Sequence, residues 1–197
     1  MTSLHYDRLR SLTAEERRSL GCYGYISHEA WRIRREASDG AIRFRLDRER
    51  LETPFQKTYE DEEAEEMNRR LALGYSVGAY DADRLVGMLV AEPQAWNRTL
   101  QIMDFQVADS YRQRGIGGGL LAEAVRLARA GGFRAIGAET QHTNGPAVNF
   151  YMSRGFALDG FDLSLYDGLD EAALIFRLHL EPSGLGPTGT DEPPGSD

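Results

Sequence analysis

Residues 111–121 read Tyr-Arg-Gln-Arg-Gly-Ile-Gly-Gly-Gly-Leu-Leu. Glycines at 115, 117, 118 and 119 permit a sharp turn and bare successive backbone N–H groups with no Cβ in front of them. The apolar spacing that follows, Leu120, Leu121, Ala124, Leu127 and Ala128, predicts a helix over 115–130. The first N–H groups of such a helix lack intrahelical acceptors and carry roughly half a positive charge. Arg112 and Arg114 add full charges, and the whole fits a pyrophosphate. Two common nucleotide loops are excluded by spacing. A G-x-G-x-x-G loop needs glycine at 120, where Leu120 stands, and a P-loop needs Lys and Ser or Thr after its second glycine. The alternative is a glycine-rich turn with solvated arginines.

The stretch Arg112-Gln113-Arg114-Gly115-Ile116-Gly117 resembles the R/Q-x-x-G-x-G/A signature of the GNAT (Gcn5-related) N-acetyltransferases, with Gly118 continuing the cradle. Phe105-Gln106-Val107 is similar to the apolar-x-Val end of that family's fourth strand. Asn144, Ala147, Tyr151 and Gly155-Phe156 follow its N-x-x-A-x-x-x-Y-x-x-x-G-F pattern. The resemblance covers roughly residues 75–180 and implies an α/β fold with a mixed central sheet flanked by helices. It implies acetyl-CoA as cosubstrate and no metal. The backbone of Phe105 and Val107 would pair with pantetheine amides, residues 112–118 would hold the pyrophosphate, and Asn144 would meet a pantetheine amide. A homodimer is the family's common habit.

A narrower resemblance, to streptothricin acetyltransferases, rests on Glu139-Thr140-Gln141, Asn144, Phe150-Tyr151, Gly155-Phe156, Gly160 and Asp162. It implies an amine-bearing small molecule as acceptor; acetylation of a peptide amine and non-catalytic acyl-CoA binding are the alternatives. Asp104 fits the second of two acids that this group carries on the fourth strand, and Met103 occupies the place of the first.

Direct attack on a thioester requires a neutral amine. At a reference pKa near 10.4, about one alkylamine in 2,500 is neutral at pH 7, a cost of roughly 4.6 kcal/mol. A carboxylate or ordered water must therefore receive the proton. Asp104 and Glu139 are the candidates, each with a purely structural alternative at a strand end. Tyr151, at the family's acid position, is the candidate donor to the departing thiolate; the alternative is a core aromatic. Asn144 ahead of Pro146 is equally placed to cap a helix.

These residues need a scaffold. Thr13 with Glu16 three residues on predicts a capped helix. Trp31 and Ile33, then Ile42, Phe44 and Leu46, alternate with polar residues around Ser38-Asp39-Gly40, which predicts a hairpin. A helix over 61–73 and a second hairpin, 75–80 with 85–91, complete an antiparallel front half. Strands at 100–107, 135–140, 156–166 and 173–180 alternate with helices at 115–130 and 146–153.

Composition sets the bounds. A chain of 197 residues can bury roughly 70% of its unfolded surface in one domain. That domain is expected over 1–180, followed by a disordered tail over 181–197, because Pro182 to Asp197 holds four of seven prolines and four glycines. Lys and Arg number 23 against 31 Asp and Glu, and a net charge of −8 argues against a nucleic-acid partner. With no apolar run of 18 residues and no signal peptide at Met1 to Arg8, a cytoplasmic protein with no membrane partner is expected. The lone Cys22 excludes an internal disulfide and reads as a small buried residue. His5, His28, His142 and His179 share no metal-ligand spacing, and His142 reads as a surface-loop residue beside the site. The acidic run Glu60 to Glu66 reads as a solvated helix start.

Overall fold

The computed structural model describes residues 4–60, 64–167 and 171–180. Its strands are β1 (Leu4–Arg8), β2 (Gly24–Ser38), β3 (Ala41–Thr58), β4 (Val77–Asp81), β5 (Arg84–Gln94), β6 (Thr99–Val107), β7 (Ala135–Gln141), β8 (Ala157–Asp162) and β9 (Ala173–His179). Its helices are α1 (Ala14–Ser19), α2 (Ala64–Ala72), α3 (Ile116–Ala130) and α4 (Gly145–Ser153). Seven strands form one mixed sheet in the order β1-β4-β5-β6-β7-β9-β8, the α/β class expected.

The first hairpin does not join that sheet. β2 and β3 pair only with each other, as a two-stranded ribbon that turns at Asp39-Gly40, both with positive φ (50° and 78°). Two residues with positive φ match the twist of a tight hairpin. A lone ribbon of this kind is marginal in water. Here it is held midway along β2 by Trp31, whose backbone N–H donates to the His142 carbonyl at 2.8 Å. β1 was not foreseen from the sequence. Four of its five residues are exposed, so no apolar alternation marks it, yet it pairs with β4 from Leu4↔Asp81 to Arg8↔Val77.

β5 is buried from Leu85 to Ala91, an unbroken apolar run because both faces of the sheet are covered there. On one face Val86, Leu89 and Ala91 join Ile116, Leu120 and Leu127 of α3 and Val148 and Tyr151 of α4. On the other, Met88 and Val90 meet Leu20 beside α1 and Met67 and Leu71 of α2. The capping box is present: Thr13 Oγ1 accepts the Glu16 N–H at 3.1 Å, and Glu16 accepts the Thr13 N–H at 2.8 Å. The expected start of α2 at residues 61–63 and the tail at 181–197 lie outside the described residues. Among the described residues no helix is long and apolar enough to cross a membrane.

Candidate active site

β6 and β7 run parallel but are laddered only at Thr99↔Ala135, Leu100↔Ile136 and Gln101↔Gly137. β6 stays paired with β5 as far as Gly87↔Val107, and β7 with β9 as far as Gln141↔Ala173. The sheet therefore parts beyond Gln101, and a cleft opens toward the C-terminal ends of two parallel strands. Open α/β sheets bind ligands at such a place. The Ala108 N–H donates to the Val86 carbonyl at 2.9 Å. Because strand groups alternate in direction, the backbone N–H and C=O of Phe105 and Val107 face the cleft instead. The Val107 carbonyl accepts from Arg112 Nε at 3.3 Å. Val90 pairs with Asp104 and Ala91 with Ile102, leaving Met103 as the extra residue of a bulge.

At the mouth of the cleft, Gln113 (φ 60°) and Gly115 (φ 83°) turn the chain into α3. The first α3 bond closes from the Gly119 N–H to the Gly115 carbonyl at 3.1 Å, so the N–H groups at 116–118 have no acceptor within the helix. Ile116 anchors this turn in the core, 2% exposed. A Cβ on Gly117 would stand 3.2 Å from Phe150 Cε2, and one on Gly119 only 2.1 Å from Tyr6 Cζ. Gly117 thus makes room for the Phe150 ring, and Gly119 for Tyr6 of β1. Arg112 is ion-paired with Asp109 at 2.9 Å, and the Arg114 guanidinium lies 5.2 Å from the Tyr111 ring centroid.

The two acids stand on opposite walls. Asp104 on β6 is buried against Arg17 of α1, Nη2 to Oδ2 3.3 Å. Arg17 also bonds Gln106 and lies 3.9 Å from the Tyr23 ring centroid. Glu139 on β7 is exposed and accepts a hydrogen bond from the Tyr166 hydroxyl. Desolvation by its neighbours raises the Glu139 pKa, against the lowering influence of Tyr166 and Lys57. Tyr151 on α4 is buried among Phe150, Phe156 and Phe176. Burial, then the charges of Asp104 and Glu139, push its phenol well above the ordinary value, so it holds its proton. Asn144 is the N-cap of α4, its Oδ1 accepting the Ala147 N–H at 3.1 Å.

Residues 43–156 match the acetyltransferase (GNAT) family. The chain belongs to the GNAT acetyltransferase family. A streptothricin acetyltransferase of Streptomyces lavendulae is 40% identical over 93 residues, 47% of this chain and 48% of the relative, so the match spans about half of that protein. The crystal structure of a nourseothricin acetyltransferase superposes with TM-score 0.71 and 26% identity, covering 90% of this chain and 99% of that one. A Bacillus anthracis str. Ames protein assigned as a streptothricin acetyltransferase, solved in complex with acetyl coenzyme A, gives TM-score 0.68 and 25% identity over 91% and 99%.

Several side chains of this GNAT acetyltransferase's cleft were missed in the sequence. Tyr59 donates to Gln141 Oε1 at 2.6 Å, and Tyr25 shares a 2.6 Å hydrogen bond with Thr143 Oγ1. Glu171 is buried where Lys57, Thr143 and Tyr25 converge. Tyr25, Lys57 and Tyr59 come from the root of the ribbon, more distant in sequence than any local pattern reaches. Two expectations are corrected. Cys22 is exposed, its backbone carbonyl accepting a hydrogen bond from Gln106 Nε2 at 3.2 Å. His142 is half-buried rather than a surface residue: its Nδ1 accepts the Ala172 N–H at 3.0 Å, and desolvation lowers its pKa, which keeps it neutral. Among the described residues no three His, Cys, Asp or Glu side chains are grouped to hold a metal.

Proposed function

We propose that this chain is an acetyl-CoA-dependent N-acetyltransferase that acetylates a primary amine of a small molecule, a streptothricin-like antibiotic or a related amine, by direct attack. One observation carries the reading: the cleft between β6 and β7 has an anion-seating helix start at its mouth and a carboxylate on each of the two strands that form it, Asp104 on β6 and Glu139 on β7. Acetyl-CoA fits this geometry through bare N–H groups at 116–118 for its pyrophosphate and the open edge at Phe105 and Val107 for its pantetheine amides. It supplies the acetyl thioester and a thiol leaving group.

Glu139 receives the amine proton. Asp104 is the weaker candidate because its carboxylate is already engaged by Arg17, whereas Glu139 has an exposed edge and a pKa raised by desolvation, which makes it the better proton acceptor. A new C–N bond forms as the C–S bond breaks, and the Tyr151 hydroxyl supplies the proton that the departing sulfur takes up. The products are an amide and free CoA. Lys57 Nζ already lies 5.6 Å from the Tyr59 ring and 5.5 Å from the Tyr166 ring, so it is the exposed Glu139 carboxylate that suits a cationic acceptor.

The test is release of free thiol from acetyl-CoA across streptothricin, polyamines, aminoglycosides and lysine-bearing peptides. Turnover with a small amine and none with peptides supports the reading. Turnover with peptides alone replaces it by peptide acetylation, and thiol release with none of these amines overturns it.

A further inference from the structure

We propose that Arg154, at the end of α4, is a clamp on the CoA pyrophosphate, closing the cradle from the side opposite the α3 N-terminus. The proposal rests on the acetyl-CoA reading and adds a residue that no sequence motif singled out. Phe150 and Arg154 are four residues apart on one helix, so their side chains share a face. The Arg154 guanidinium lies 5.5 Å from the Phe150 ring centroid. Phe150 is itself fixed edge-to-face against Phe105 of β6, at 5.3 Å and 89°.

This face meets the start of α3 at two successive points. The ideal Cβ position of Gly117 is 3.2 Å from Phe150, and that of Gly118 is 3.1 Å from the Arg154 guanidinium carbon. The guanidinium therefore lies beside Gly118, in the first turn of α3. Its backbone is held as well: the Arg154 N–H donates to the carbonyls of Phe150 (3.1 Å) and Tyr151 (3.0 Å), and Gly155 (φ 83°) ends the helix immediately after it.

Charge distinguishes Arg154 from its neighbours. Arg112 is ion-paired with Asp109, and its Nε is bonded to the Val107 carbonyl. Arg154 is exposed, and no carboxylate among the described residues pairs with its guanidinium. A planar fork of donors, fixed over an aromatic face and left without a counter-ion beside a helix N-terminus, suits a diphosphate in this acidic chain.

Calorimetry with CoA and with dephospho-CoA, which keeps the pyrophosphate and lacks the 3′-phosphate, tests the clamp. Arg154→Met retains an apolar stem over Phe150 and should weaken both ligands by about 10- to 100-fold, the scale of a charged hydrogen bond. It should also flatten the salt dependence of binding, and Arg154→Lys should recover part of the loss. Unchanged CoA affinity in Arg154→Met overturns the proposal. A loss seen with CoA but not with dephospho-CoA also overturns it, since Arg154 would then meet the 3′-phosphate. Weakening with no change in salt dependence and no rescue by lysine makes Arg154 a prop for Phe150 and overturns it too. A wild-type chain that binds neither ligand overturns the acetyl-CoA reading, and the clamp with it; wild-type binding with an indifferent Arg154→Met removes the clamp alone. Should Arg154→Met fail to fold, Arg154→Gln is read in the same way.

Discussion

The Tyr166 hydroxyl donates a hydrogen bond to the Glu139 carboxylate, joining the segment after β8 to the C-terminal part of β7. That bond lowers the Glu139 pKa, while desolvation raises it further in the other direction. If Glu139 must be ionised to take the amine proton, kcat/KM falls as pH falls through its raised pKa. Tyr166→Phe removes a lowering influence, so the acidic limb should move to higher pH. Glu139→Gln should remove the limb and lower turnover by about 10²- to 10⁴-fold, with CoA affinity unchanged. A pH–rate profile that is the same in all three proteins would assign the proton to another acceptor.

Tyr151→Phe keeps the ring that packs on Phe156 and Phe176 and deletes only the hydroxyl. A thiolate leaves readily, so the expected loss is at the low end of general acid catalysis, about 10- to 100-fold in turnover. That corresponds to roughly 1.4 to 2.8 kcal/mol of barrier. Melting temperature and CoA affinity should stay the same. Wild-type turnover under conditions where chemistry limits the rate would make Tyr151 a core aromatic only.

Gly117→Val should block the cradle. Its Cβ would lie 3.2 Å from Phe150 Cε2, and its two methyl groups have to displace a ring that is wedged against Phe105. CoA affinity should fall about fivefold or more by calorimetry, since overpacking of this kind costs about 1–3 kcal/mol. An undiminished affinity would move the pyrophosphate elsewhere.

The Arg17–Asp104 pair separates structure from chemistry. Arg17→Met strands a buried carboxylate and removes a donor to Gln106, so thermal and denaturant unfolding should show a loss of about 3 kcal/mol or more. Arg17→Met combined with Asp104→Asn removes the stranded charge and should recover much of that stability. If the double variant also retains turnover, Asp104 serves the fold and not the proton transfer.

Much of this site was legible because its parts are local. The capping box at Thr13, the turn at Asp39-Gly40, the helix start at Gly115 and the cap at Asn144 each follow from residues within a few positions of one another. What lay hidden depends on pairing across the chain. β1 carries no apolar alternation, so its existence, and the reason Gly119 is glycine, emerge only when Tyr6 is seen against α3. The ribbon's separation from the main sheet is a matter of which edges pair, on which alternation in β2 and β3 is silent. Arg17, Lys57, Tyr59 and Glu171 reach the cleft from elements far apart in sequence. The partner of the Cys22 carbonyl, the Gln106 side chain, lies 84 residues away.

The most direct test of the central claim is mass spectrometry of streptothricin after incubation with the chain and acetyl-CoA. The account predicts a product heavier by one acetyl group, carried as an amide on an amine nitrogen, with one equivalent of free CoA for each amide formed. It also predicts that Tyr151→Phe slows the appearance of both products by the same factor. Streptothricin and related small amines recovered unchanged, with acetyl-CoA intact or hydrolysed to acetate, would contradict it.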